Sequence, residues 1–339
     1  MPSHRSPLAG TLIVLTGATL FATLGPLSRF AYERDMDPLS FVAWRVGLAT
    51  VALVAVSWWR VATSRRARPA FPGRRAAGSL ALATLAGLLL NLAIFAAFDR
   101  TTVALALLGF YTYPAMVAVV AVALGREPAT RATLVALAVA VGGMVLVMIG
   151  GLGTAGELQF DALGMLLAVA AAACQTVFVT ISRDGYKAVP ADQAMTTILG
   201  GTVAGSVLIA LAVGVDLGRP LRDPGLLPIL LAAGILGAAI PSLMFLVGIR
   251  LVGGTRAGIL MLFEPVVGVA LAAVLLGESL GPVQALGGVA ILAAAVIVQR
   301  VPVSHPPPRA LPPSGPGAAD EAEEEADEAA IVSHVPGGP

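Results

Sequence analysis

Charge is what this chain has least of. Only 12% of its 339 residues are Asp, Glu, Lys or Arg, where a soluble domain carries about 25%. With a mean hydropathy of +0.89, that scarcity excludes an ordinary soluble domain. Cysteine is nearly missing too. Cys174 stands alone, so there is no intramolecular disulfide and no thiol cluster for a metal. The three histidines, His4, His305 and His334, all lie in the polar ends, which excludes a histidine-based metal or proton site inside a membrane. No H-E-x-x-H, Walker loop or nucleophile elbow occurs, and no cofactor or nucleic-acid partner is expected. Gly151, Gly153 and Gly156 match G-x-G-x-x-G. They follow an apolar helix rather than a strand, so a dinucleotide site is not expected there.

What the chain has in abundance is apolar length. Ten apolar segments can be counted near 9–28, 39–59, 78–98, 102–124, 130–150, 162–182, 194–215, 226–248, 256–276 and 282–299. Most match a hydrocarbon core crossed by about 20 helical residues. The reading is an all-α membrane protein of ten transmembrane helices. The first apolar run is too long for a signal peptide and lacks a clear cleavage site. Residues 301–339 are proline-rich and then acidic, with seven acids between 320 and 328. Such a composition cannot bury an apolar face and predicts a disordered tail.

The ten segments fall into two copies of five. Adding 151 to Pro114 gives Pro265, and adding 151 to Glu127 gives Glu278. Adding 154 to Gly10, Ser28, Arg29 and Tyr32 gives Gly164, Ser182, Arg183 and Tyr186. Each half therefore closes its first helix with Ser-Arg-x-x-Tyr. Gly142-Gly143 in the fifth segment answers Gly287-Gly288 in the tenth. Five is odd, so the second copy enters the membrane from the opposite side, which makes the repeats inverted. The expected divisions are 1–155, 156–300 and the tail 301–339. Basic residues set the orientation. Six arginines lie between Arg60 and Arg75. With that loop and both termini in the cytoplasm, fifteen basic residues lie inside and five outside. The expected location is the cell (inner) membrane.

Few polar residues interrupt the apolar segments, and each is a candidate for the solute or ion pathway. Glu264 sits in a run that is otherwise apolar from Ala257 to Gly277. A carboxylate at that depth costs about 2.5–3.5 kcal/mol and is usually functional. It is either a proton-titrating or cation-binding group, or a structural cap for backbone opened by Pro265. Pro114 and Pro265 each remove a helix hydrogen bond and predict kinks that border one cavity. Arg45 lies about seven residues inside its segment. It either snorkels to the interface or neutralises an anionic substrate or Glu264. Trp44 beside it reads as an interface anchor, as do Trp58 and Trp59 at the other end of the segment. Tyr111 and Tyr113 flank Pro114 on different helix faces, so one of them is expected in the cavity. Asn91, Gln175 and Thr176 must face other helices or the cavity, with interhelical bonding the commoner role.

Taken together, these features resemble the drug/metabolite transporter superfamily, in particular its EamA-type ten-helix members. The residues that carry the resemblance are Asp37-Pro38 followed by Arg45, Phe263-Glu264-Pro265, and Leu276-Gly277-Glu278. It covers about residues 8–300. The chain departs from the family at Phe21-Ala-Thr-Leu-Gly25-Pro26, where a Trp-Gly-Ser-type opening is usual, and in having Tyr113 where the second half has Glu264. The resemblance implies secondary transport, usually export, of a small metabolite or drug through a central cavity between the halves. A homodimer is an open arrangement. The competing readings are a non-transporting scaffold or receptor, and a membrane-embedded enzyme, for which no catalytic cluster is present.

Overall fold

The computed structural model describes residues 7–63, 72–101, 103–127, 130–151, 160–276 and 281–299. Most of the arginine-rich loop, the G-x-G-x-x-G stretch beyond Gly151, Gly277-Glu278 and the tail lie outside the described residues. All the regular structure described is helical and belongs to one compact unit. In chain order the helices are α1 (Pro7–Phe21), α2 (Leu24–Tyr32), α3 (Pro38–Ala62), α4 (Arg74–Arg100), α5 (Val103–Phe110), α6 (Tyr113–Ala123), α7 (Arg131–Gly151) and α8 (Ala162–Asp184). They continue with α9 (Ala191–Ala212), the short α10 (Arg219–Arg222), α11 (Leu226–Gly234), a π-helical turn (Ile235–Ala239), α12 (Ile240–Val252), α13 (Gly254–Met261), α14 (Phe263–Leu276) and α15 (Pro282–Gln299).

Eight helical runs are long and apolar enough to cross a membrane, from Leu8–Tyr32 to Leu226–Val252. The ninth expected segment is divided at Leu262 into α13 and α14, of 8 and 14 residues. The tenth, Pro282–Val298, is a shorter apolar helix. Large apolar side chains cover the outer surface, as on a protein solvated by lipid: Val274 is 81% exposed and Leu208 67%.

Four of these runs are broken, and a proline accounts for each break. Pro26, Pro114, Pro241 and Pro265 fall in the first turn of α2, α6, α12 and α14. A proline lacks the N–H that would bond the preceding turn, so a helix tolerates it best where it restarts. The chain therefore ends one helix a few residues earlier and begins another. Before Pro241 the interruption takes the form of the π-helical turn. Side-chain caps fix several starts; Thr130 accepts from the Thr133 N–H at 3.1 Å before α7. Asp37 accepts from the Leu39 N–H at 2.7 Å, with Pro38 first in α3. Asp161 accepts from the Gly164 N–H at 2.6 Å. That bond, reinforced by Arg100, holds the Asp161 carboxyl below the usual carboxylate range.

The halves are interleaved. The closest helix pairings join one half to the other: α7 with α15, α4 with α8, α3 with α9, and α1 with α12. The α7–α15 crossing is the tightest. A Cβ added to Gly143 would stand 2.7 Å from the Gly287 carbonyl oxygen, and one on Gly287 would stand 2.5 Å from that of Gly143. Only glycine lets the two backbones approach so closely, which is how helices pack firmly in lipid.

Candidate functional site

A cavity of about 910 Å³ lies between the halves. All four proline-marked breaks contribute to its wall, through Pro26, Tyr113, Ser242 and Pro265 among others. In a membrane, irregular backbone is tolerated only where protein buries it or where it lines a cavity, and the breaks follow that rule. The wall is mainly apolar, with Phe21, Phe110, Phe178, Phe245, Met195 and Ile198 exposed to the cavity. It extends from the level of Glu264 to Tyr32 and Pro38, beside the link between α2 and α3.

Glu264, first-turn residue of α14, lines the cavity together with Tyr111 and Tyr113. Tyr111 is a neighbour of the Glu264 carboxylate on this wall. The two tyrosine rings stand 6.5 Å apart, and Phe110 is 5.4 Å from each. A regular helix would have turned one tyrosine away. The break between α5 and α6 turns both inward, contrary to the expectation of one. Pro114 is buried against Gly258 of α13, whose added Cβ would stand 3.3 Å from the proline ring. Of the two expected kink residues, Pro265 is the one on the cavity wall.

Arg45 and Asn91 occupy another part of the wall. The guanidinium Nη2 donates to Asn91 Oδ1 at 3.1 Å. Asn91 in turn donates from Nδ2 to the Gly87 carbonyl at 2.7 Å, which keeps its oxygen facing the arginine. Arg45 and Glu264 do not pair with each other, and neither forms an ion pair with a described residue. Gln175 also reaches the cavity. Thr176 does not; its hydroxyl donates back to the Ala172 carbonyl within α8. Trp44 donates from Nε1 to the Leu217 carbonyl at 2.8 Å and so anchors a loop. Trp58 and Trp59 are exposed, at 72% and 53%.

Sequence reasoning passed over Ser28, Arg29 and Tyr32, which all line the cavity. Their spacing puts them on neighbouring faces of α2, and the proline at position 26 was the signal that this turn is not plain helix. Ser242 was missed in the same way, beside Pro241.

The equivalent residues of the second half sit at a closed end, away from the cavity wall. Arg183 pairs with Glu127 at 2.5 Å. Gly253 sits against that pair with a φ of +87°, and a Cβ there would stand 2.6 Å from Glu127 Oε1. The Ser182 and Tyr186 hydroxyls share a hydrogen bond of 2.5 Å. Burial pushes the Tyr186 phenol up to about 12, so it stays neutral. Arg250 donates to the Val189 and Tyr186 carbonyls and lies over the Tyr186 ring at 5.3 Å. Arg126 donates to the Thr180 carbonyl at 2.8 Å and Arg256 to the Val298 carbonyl at 2.6 Å.

This arrangement has a counterpart among known proteins. The profile of the EamA-like transporter family matches the chain twice, over residues 8–149 and 162–300. The chain belongs to the EamA-like transporter family. It is thus a multi-pass membrane protein of the drug/metabolite transporter type, in a family of transporters rather than enzymes, and its partners are the lipid bilayer and a small solute. A solved crystal structure of another protein superposes with a TM-score of 0.70 at 19% identity, over 86% of this chain and 96% of that one. At that identity the likeness is one of fold. No curated protein matches the chain in sequence. Among the described residues no cluster of His, Cys, Asp or Glu could hold a metal ion.

Proposed function

We propose that the chain exports a small organic solute by alternating access, driven by proton entry through Glu264. The supporting observation is the carboxylate on the cavity wall at the α13–α14 break, with no ion-pair partner among the described residues. The titratable groups that face it are Tyr111 and Tyr113. A carboxylate that is not neutralised by a fixed cation can take up a proton from one side and release it to the other as the cavity alternates. In this reading α13–α14 and α15 complete ten crossings, and the two repeats are inverted. The basic residues put both termini in the cytoplasm of the cell (inner) membrane. The cavity then opens outward, and the Glu127–Arg183 end is the closed, cytoplasmic one.

The substrate is first sought by comparing metabolites in cells lacking and overproducing the protein. In proteoliposomes, Glu264→Gln keeps the shape of the site but cannot titrate. Accumulation driven by a pH gradient is expected to vanish while substrate exchange persists. Accumulation by this variant at the wild-type level would refute the proton-carrier role. Orientation is checked with single cysteines at Arg74 and Phe160 in a Cys174→Ser background. An impermeant thiol reagent outside the cell should label only the second.

A further inference from the structure

Resting on the transporter reading, we propose that the cargo is a small organic monocarboxylate with an apolar body, its acid group received by Arg45 and Asn91. The protein's other enclosed arginines each have a partner within the fold. Arg183 has a carboxylate; Arg126, Arg250 and Arg256 have backbone carbonyls. Arg45, on the cavity wall well inside α3, has one neutral amide oxygen. A guanidinium presents five N–H donors in a planar fork, and a carboxylate takes two of them at once. A membrane protein rarely leaves such a group without an anion unless the site itself supplies one in use.

The charge of the whole wall agrees. Its ionised side chains are Arg29, Arg45 and Glu264. When Glu264 is protonated, the Arg45 charge is left without a counter-charge on the described wall, and the cavity then favours an anion. Among the described residues nothing else on the wall is charged, and most of it is phenylalanine, methionine and aliphatic side chain. A volume of about 910 Å³ falls in the range of small-molecule sites. One acid on an apolar body fits both the charge and the lining.

Three probes share one body and differ in one group: 3-phenylpropanoate, 3-phenylpropanamide and 3-phenylpropylammonium. Their binding to the purified full-length protein is measured at neutral pH by calorimetry. The carboxylate is expected to bind at least about tenfold more tightly than either other probe, the worth of a charge-assisted bond. Arg45→Gln should shrink that preference to within about threefold, and Arg45→Lys should retain part of it. Tightest binding of the ammonium, equal affinity for all three, or full carboxylate preference in Arg45→Gln overturns the proposal. The wild-type series decides even where a variant fails to fold. A protein that passes the pH-gradient test yet prefers the ammonium keeps the transporter reading and loses this one. A protein that prefers the carboxylate yet accumulates nothing does the reverse.

Discussion

The motif Ser-Arg-x-x-Tyr occurs once in each half and is used in two ways. Ser28, Arg29 and Tyr32 line the cavity. Ser182, Arg183 and Tyr186 are packed into the closed end, with the arginine on Glu127 and the tyrosine on Ser182 and under Arg250. Sequence identity at matched positions has not produced matched surroundings. The difference lies in what packs around each copy: the first faces the cavity, and the second is enclosed by Glu127 and Arg250.

The comparison can be broken from its strongest point. Removing one member of a half-buried ion pair strands the other, so Glu127→Ala or Arg183→Ala should each lower unfolding stability by about 3 kcal/mol. The double variant should lose less than the sum. Thermal unfolding in detergent measures both, and strict additivity would mean that the pair does not fasten this end. Gly253→Ala tests the same end through the backbone. A side chain at φ +87° beside Glu127 should destabilise by about 1–3 kcal/mol, and a silent substitution would show that the closed packing is loose.

The links that follow the two motifs differ as well. Asp37 caps α3 with its side chain, whereas Pro190 starts α9 without a side-chain cap. Asp37→Ala should therefore cost about 1 kcal/mol, and Pro190→Ala should leave unfolding nearly unchanged. The smallest effect is expected at Arg29. Because it is exposed at the cavity, Arg29→Ala should change stability by no more than about 0.5 kcal/mol. A loss as large as that of Arg183→Ala would erase the distinction between the two ends.

Much of this fold is legible in the chain. Apolar length gives the helices, Asp37-Pro38 gives a helix start, and the offsets of 151 and 154 give the repeat. Glu264 is legible because a lone acid in an apolar run is too costly to keep without a use. The break at Leu262 follows from Pro265, whose missing N–H leaves the preceding turn unbonded. What periodicity cannot give is the direction of a side chain beside a break, since the helical repeat no longer runs through it. That is why Tyr111 and Tyr113 both reach the cavity, and why Arg29 reads from sequence only as part of a helix-closing motif. Thr176 reads as an interhelical group because its own carbonyl at Ala172 competes invisibly. Arg45 and Glu264 look like natural partners in sequence, yet partnership depends on helix packing that no local pattern encodes.

The interleaving of the halves has a consequence for how the molecule is made. The partners of α1, α3, α4 and α7 are α12, α9, α8 and α15, all later in the chain. When the first five crossings have been inserted, none of those pairings yet exists. Gly143 at that stage lacks the Gly287 backbone against which it packs in the complete fold. The first half on its own retains only its weaker internal pairings, such as α5 with α7 and α4 with α5. A chain halted midway is therefore expected to lack the main helix pairings of the finished protein.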